Sequence, residues 1–468
     1  MNRRPFNPAW LLLVLPLGYA VVWQLIGLIP VNAGAGWDGA VYLDYLAQWT
    51  RGQPIEGDPY RLTRLPGFLP AALALWLGLD RAHIPWLQVA LNAALLSAVA
   101  ALLGRTLLRQ LERPAIAVWA SGTLYFSWPY LVVPVFYPLL SDHLALVCAV
   151  LSLWAWFHGR RTLLAGLGLL SVWIMPGLFV VPLALIALPF DAQAAAFRPG
   201  WRWPVFFLLA ALAVAACWPM AGLSDEAIRH HPKGNALGLP GLKAWSIGVV
   251  LLGLLAVAAL WTRLLSSPDF WRRIAWGPLI AAAAVVGLGG LSTWLVADWG
   301  AGFRGPALLD NLLLQAVAAP AKPLVAHVIY FGPVFLVALG LCLKPGALEP
   351  RAFPLCVLLT AALPIFLMGS ESRQWIGFLP VFVTLVALHE RSRLRWRLLL
   401  GASVAGCLPF VTLAPALLAR TTEPGTVGMG WWWYLAHHGP WMPTGAYLAG
   451  AVLAVGFALA YRRCRSGD

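Results

Sequence analysis

Apolar residues run through this chain in blocks of about 20, separated by short polar breaks, a length that lets a helix cross a bilayer. The pattern places segments near 9–29, 84–104, 115–134, 139–157, 161–175, 177–190, 203–222, 244–262, 276–297, 323–343, 353–369, 375–390, 398–418 and 441–460. The pair 161–175 and 177–190 is too short for two full crossings, and Pro176-Gly177 divides it. It reads as one broken helix or as two. The run 67–79 is also short and reads as an interfacial or re-entrant helix on the outer side. Period-two alternation is absent, which argues against a β-barrel. The expected fold is all-α: a polytopic transmembrane helical bundle of about 12–14 membrane segments, a single domain over residues 1–468.

Composition agrees with the pattern. The chain is 61% hydrophobic and only 11% charged, too little charge for a soluble surface. A net charge of +14 raises the question of nucleic acid, but the basic residues cluster in short loops between apolar segments. We therefore expect no nucleic-acid partner. Most of the 32 lysines and arginines fall on one side when both termini are cytoplasmic and the loop 30–83 is outside. Arg391-Ser392-Arg393-Leu394-Arg395-Trp396-Arg397 and Arg462-Arg463-Cys464-Arg465 are the strongest inside markers. The start, MNRRPF before an apolar run and Ala33-Gly34-Ala35, resembles a secretory signal, but the run is long and many segments follow. It reads as an uncleaved first helix.

Six cysteines without a CxxC spacing indicate neither a disulfide framework nor a zinc site and read as small buried hydrophobes. Trp431-Trp432-Trp433-Tyr434 reads as part of an aromatic belt. His230-His231 and His437-His438 lack the spacing of a helical metal pair and read as solvated loop residues. No Walker A, GxSxG, GxGxxG or D-x-D element supports a cytosolic nucleotide or nucleotide-sugar site.

Candidate chemistry concentrates in residues 36–70, where Asp38, Asp44, Glu56 and Asp58 lie beside Arg51, Arg61 and Arg64. Ionisable groups at membrane level must face a polar cavity or water. On the expected topology this loop, Ser141-Asp142-His143 and Glu371-Ser372-Arg373 all fall on the outer face. Asp38 and Asp142 each suit either a helix N-terminus or a reactive site. Asp44 lies on a different azimuth from Asp38 and reads as solvated or salt-bridged. His143 reads as a site residue or a local hydrogen-bonding group. Arg61 and Arg64 suit bidentate contacts to phosphate or to anionic headgroups.

Trp37-Asp38 followed by Tyr42 and Ala47, then Gly52-Gln53-Pro54, Asp58-Pro59-Tyr60 and Arg64-Leu65-Pro66-Gly67, resembles the first outer loop of the GT-C glycosyltransferases. The similarity is to the branch containing protein O-mannosyltransferases and the lipid A aminoarabinose transferase. Leu140-Ser141-Asp142 resembles that family's second acidic position, and Leu164-Ala165-Gly166-Leu167 with Met175-Pro176-Gly177 its broken helix. Glu371-Ser372-Arg373 with Pro380 resembles its late E-x-R…P segment. The chain departs from the family at Asp38-Gly39, where Asp-Glu is frequent. It also lacks the lysines the family places near Arg64-Leu65-Pro66-Gly67 and at Pro176.

The resemblance implies a GT-C-like bundle whose first outer loop carries interfacial helices. It implies transfer of a sugar from a polyprenyl-phosphate-linked donor to a cell-envelope glycan, lipid or protein, with inversion, at the outer face of a bacterial-type inner membrane. Asp38 would be the catalytic base, and Tyr42, Arg61, Arg64, Asp142, His143, Glu371 and Arg373 would bind substrate. Asp142 would also be a metal ligand if a divalent cation, Mg or Mn, takes part. Membrane lipid is a further implied partner. The rival expectation is a transporter or flippase of a lipid-linked saccharide or other envelope lipid. That reading calls for charge at mid-membrane and matching Gly/Pro-broken helices in two halves, and neither stands out.

Overall fold

A backbone in lipid has no water to bond to, so apolar segments close their hydrogen bonds within helices. The computed structural model describes residues 9–55, 59–111, 113–175, 177–190, 197–230, 240–296, 305–345, 348–412, 439 and 442–464. Glu56, Asp58, Pro176, His231, Trp431-Trp432-Trp433-Tyr434, His437-His438 and Arg465 lie outside the described residues. Among those described there is no strand.

The first part of the chain forms α1 (Ala9–Ile26), α2 (Gly36–Thr50), α3 (Leu69–Trp76), α4 (Ile84–Leu111), α5 (Pro114–Tyr125) and α6 (Asp142–Phe157). Then follow α7 (Arg161–Val172), α8 (Val180–Ala187), α9 (Trp203–Gly222), α10 (Lys243–Leu265) and α11 (Trp276–Val296). The last part forms α12 (Gly305–Val317), α13 (Lys322–Phe331), α14 (Pro333–Cys342), α15 (Phe353–Met368), α16 (Leu379–His389), α17 (Arg393–Thr412) and α18 (Thr444–Arg463).

Seven of these, α4, α9, α10, α11, α15, α17 and α18, are each long and apolar enough to cross a membrane. Two bent pairs bring the number to nine if each counts as one crossing. One is α5 with the stretch Trp128–Phe136, bent by 69°, and the other is α12 with α13, bent by 96°. The protein is thus a helical bundle suited to a membrane. The expected segments 139–157, 161–175 and 177–190 form helices of 16, 12 and 8 residues. Each is shorter than a full crossing; the first and third are covered by neighbouring helices, whereas the second leaves Leu163 and Leu170 exposed. Gly332-Pro333 splits the segment at 323–343, since proline has no N–H to continue the ladder.

Burial separates the helices by role. α6 is enclosed by α4, α7, α8 and α16, and most of its side chains are buried. By contrast α9, α11 and α18 expose apolar side chains such as Trp218 (78%) and Val452 (72%), the surface that lipid would cover. α1 packs on α4, and its Tyr19 hydroxyl donates to the Tyr130 carbonyl at 2.9 Å. Five cysteines are buried and Cys464 is half-buried, as small hydrophobes would be.

α3 falls within the expected interfacial run 67–79. Ala71 and Ala72 are buried against α2, while Leu69, Leu73, Trp76 and Leu77 form an exposed apolar stripe. α12 is a helix the apolar pattern does not announce, because Asp310, Asn311 and Gln315 interrupt its run. Gln315 is buried and its Oε1 accepts from the Ser370 N–H (2.8 Å) and hydroxyl (3.0 Å).

Two polar clusters mark opposite ends of α16. Beyond its C-terminus, Glu390 Oε2 accepts from Arg395 Nη1 (2.6 Å) and from the Tyr461 hydroxyl (2.8 Å), tying α16 to α17 and α18. Before its N-terminus the turn Ser372–Phe378 carries Arg373. At about 1.5 Å per residue in α16 and 2.0 Å in the turn, the clusters are separated by at most about 30 Å, the thickness of a hydrocarbon layer.

Candidate active site

The site is assembled where α2 lies across the linker 137–141. The chain enters α2 through a tight left-handed turn in which Gly36 has φ +71°. A Cβ there would sit 2.2 Å from the Tyr137 ring, so only glycine permits both the turn and the approach. One turn later a Cβ on Gly39 would come within 2.6 Å of Leu139 Cβ. The Asn32 side-chain amide donates to the Gly36 carbonyl at 2.9 Å and fixes the entry. The Asp38 N–H, one of the orphan donors of the first helical turn, donates to the Tyr137 hydroxyl at 2.7 Å. The same linker ends at Asp142, the first residue of α6, so the two acidic positions are brought together by one contact surface.

Asp38 receives two arginines. Its Oδ1 accepts from Arg61 Nη2 (2.9 Å) and Nε (3.3 Å), and its Oδ2 accepts from Arg373 Nη2 (2.9 Å). Arg373 Nε also lies 3.2 Å from Asp142 Oδ2, so one guanidinium bridges both carboxylates. Asp142 is fully buried, whereas the Asp38 side chain is 24% exposed. The distance to Asp142 is that of an ion pair without hydrogen-bond alignment, and Asp142 Oδ1 has no hydrogen-bond partner among the described residues. A buried carboxylate facing Arg373, with the charge of Arg64 and the positive end of α6 nearby, is costly to leave uncompensated. Ser141 makes no side-chain capping hydrogen bond. The Asp142 carboxylate faces its own backbone N–H at the start of α6 as well as Arg373, so it serves the helix end and the cluster together.

Burial raises the Asp38 pKa, but Arg373 and Arg61 outweigh it and hold the carboxyl at about 2. An aspartate in an unfolded chain titrates near 4, so the ionised form is favoured by folding, by about 2 kcal/mol. A lowered folded pKa stabilises above the unfolded value and loses that contribution as pH falls toward the folded one. We expect the stability difference between wild type and Asp38→Asn to shrink by about 1 kcal/mol between pH 6 and pH 3. Thermal unfolding in detergent checks this; a difference independent of pH would show that the ion pairs do not stabilise the fold.

The other expected residues are distributed around this centre. Arg64 is buried and its Nη2 donates to Gln374 Oε1 at 3.4 Å, linking the first loop to the turn that carries Arg373. His143 is buried with Nε2 3.1 Å from the Tyr137 carbonyl, so it braces the linker. The Tyr42 ring is buried against Phe68 at 4.6 Å and packs α2 onto the turn before α3. Glu371 is half-buried and opens the Ser372–Phe378 turn. Asp44 pairs with Arg81 at 2.5 Å on the outer side of α2, as a salt-bridged residue should.

Tyr137, Gln374 and His327, which bonds Ser372 of the Glu371-Ser372-Arg373 motif (Nδ1 to Oγ, 2.8 Å), belong to the site region without a sequence motif that singles them out. Their sequence signals are weak, because each works through a contact between distant segments. Pro134 and Pro138 around Tyr137 do announce a non-helical linker.

Both carboxylates are engaged by the Arg373 guanidinium, and the described residues hold no group of three His, Cys, Asp or Glu placed to hold a metal. The arginines supply positive charge in the form that binds phosphate bidentately.

No family model matches the chain, and neither a curated protein nor a solved structure matches it. Fold and site together define a class: a helical protein suited to a membrane, with a partly open arginine–carboxylate cluster at one end of the bundle.

Proposed function

We propose that the protein is a GT-C-like glycosyltransferase that moves a sugar from a polyprenyl-phosphate-linked donor to a cell-envelope glycan, lipid or protein. The observation that carries this reading is the bridge made by Arg373 between Asp38 and Asp142, with Arg61 on the other oxygen of Asp38. It joins the three segments that resemble the family's functional motifs.

In this reading the donor phosphate takes the place of Asp38 as the ligand of Arg61 and Arg373. Asp142, buried and fixed, keeps Arg373 in position. Freed from its arginines, Asp38 becomes basic enough to take the proton of the acceptor hydroxyl. The acceptor oxygen forms its bond to the anomeric carbon from the opposite side. The bond from that carbon to the phosphate oxygen breaks, and the electron pair leaves with polyprenyl phosphate, whose charge the guanidiniums stabilise. The anomeric configuration inverts, and no step requires a metal.

The reading places the site at the outer face of a bacterial inner membrane, with residues 36–55 outside and 391–397 inside. In a Cys464→Ser background, Gln53→Cys should react in intact cells with a membrane-impermeant thiol reagent, and Arg393→Cys should react only after the membrane is opened. Both positions are exposed. The reverse labelling would overturn the orientation.

A further inference from the structure

We propose that the half-open groove between the outer half of α2 and the end of α3 is a binding site for a neutral saccharide. Its volume is about 600 Å³, within the range of small-ligand pockets. Asp44, Gln48, Arg51, Trp76, Asp80 and Arg81 line it. Among the described lining residues two carboxylates and two guanidiniums balance, which favours a neutral ligand over an anion or a cation. Asp44 and Arg81 are paired with each other. Their remaining N–H groups and lone pairs, with the Gln48 amide, give a lining of mixed donors and acceptors, the demand of a polyol that must give and receive hydrogen bonds at neighbouring atoms.

Two further features point to the same ligand. Gln48 lines the groove and its Oε1, shielded from solvent, has no hydrogen-bond partner among the described residues, so a turn of the amide would present an unused acceptor to a ligand. Trp76 is 70% exposed and contributes an indole face, on which the C–H face of a sugar ring can lie. The exposed stripe of Leu69, Leu73 and Leu77 sets this mouth beside the lipid surface, where envelope saccharides are displayed.

The groove shares α2 with Asp38. Ten residues of helix separate Asp38 from Gln48, about 15 Å. On the transferase reading proposed above, the groove therefore holds a non-reacting part of the acceptor while its reactive hydroxyl reaches Asp38. Remote binding of this kind supplies energy for positioning at the reacting centre.

The test uses the full-length protein in a zwitterionic, sugar-free detergent and a panel of neutral oligosaccharides, read by saturation-transfer NMR and calorimetry. At least one oligosaccharide should bind, with affinity falling about 10-fold or more in Trp76→Ala and in Gln48→Ala, the loss of roughly one good contact. Trp76 is exposed, so its removal leaves the fold intact. The proposal is overturned if no oligosaccharide binds or if binding survives both groove substitutions. Tighter binding of glycerophosphoethanolamine at the same residues would equally overturn it in favour of a lipid headgroup. Sugar transfer without saccharide binding here would remove the groove and leave the transferase reading standing; saccharide binding without transfer would do the reverse.

Discussion

Asp38→Asn should lower sugar transfer by about 10²–10⁴-fold, the usual contribution of a general base, while the protein still folds and still binds donor. Asparagine keeps the shape of the side chain and can still accept from Arg61, but it cannot take a proton. The wild-type pH profile should carry a second signature. In the free protein the Asp38 carboxyl sits at about 2, so kcat/KM should show no acid limb from this group above about pH 3. Once the arginines turn to the donor phosphate, burial remains and the charges that lowered the pKa are gone. The acid limb of kcat should therefore lie above the ordinary carboxylate value, near pH 4 or higher. Asp38→Asn should lose that limb. Equal acid limbs in kcat and kcat/KM would mean that the arginines stay on Asp38 throughout.

Arg373→Met should have the largest effect on stability, a loss of about 3–5 kcal/mol, because it takes from the fully buried Asp142 its paired counter-charge and leaves only the more distant influence of Arg64. Adding Asp142→Asn should restore most of that stability, since the stranded charge is then gone, yet leave transfer abolished. Arg373→Lys should fold better than Arg373→Met but cannot span two carboxylates or grip phosphate with two nitrogens, so transfer should fall by about 10² or more. Thermal unfolding and transfer rates on the four proteins separate these effects. Wild-type stability in Arg373→Met would show that the bridge is incidental.

The apolar pattern made most of the helices legible, because in lipid the length and composition of a run nearly determine its state. It did not reveal where runs would break. α12 is hidden by Asp310, Asn311 and Gln315 in its run; Gln315 is tolerated because the bundle satisfies it, as the Ser370–Gln315 contacts show. The kink before Trp128 and the split at Gly332-Pro333 follow from proline positions that the run lengths alone conceal. In the site, Asp38, Arg61, Asp142 and Arg373 were legible because charge in an oily chain is conspicuous, and the structure brings these four together. Tyr42 and His143 were legible as polar residues near the motifs, yet sequence carries no sign that one packs on Phe68 and the other braces a carbonyl. Tyr137 could not be found at all, since its tie to the Asp38 N–H joins a side chain to a backbone group in a distant segment.

Transfer in detergent separates a transferase from a transporter, because detergent removes the two compartments that a transporter needs. Purified protein should be given a panel of polyprenyl-phosphate hexoses and pentoses with envelope glycan, lipid and peptide acceptors, and products followed by mass spectrometry. We expect one donor and acceptor pair to yield an acceptor carrying the sugar, with inverted configuration and one polyprenyl phosphate released per transfer, and Asp38→Asn to slow it by about 10² or more. No transfer across the panel, or transfer by Asp38→Asn at the wild-type rate, would contradict the account.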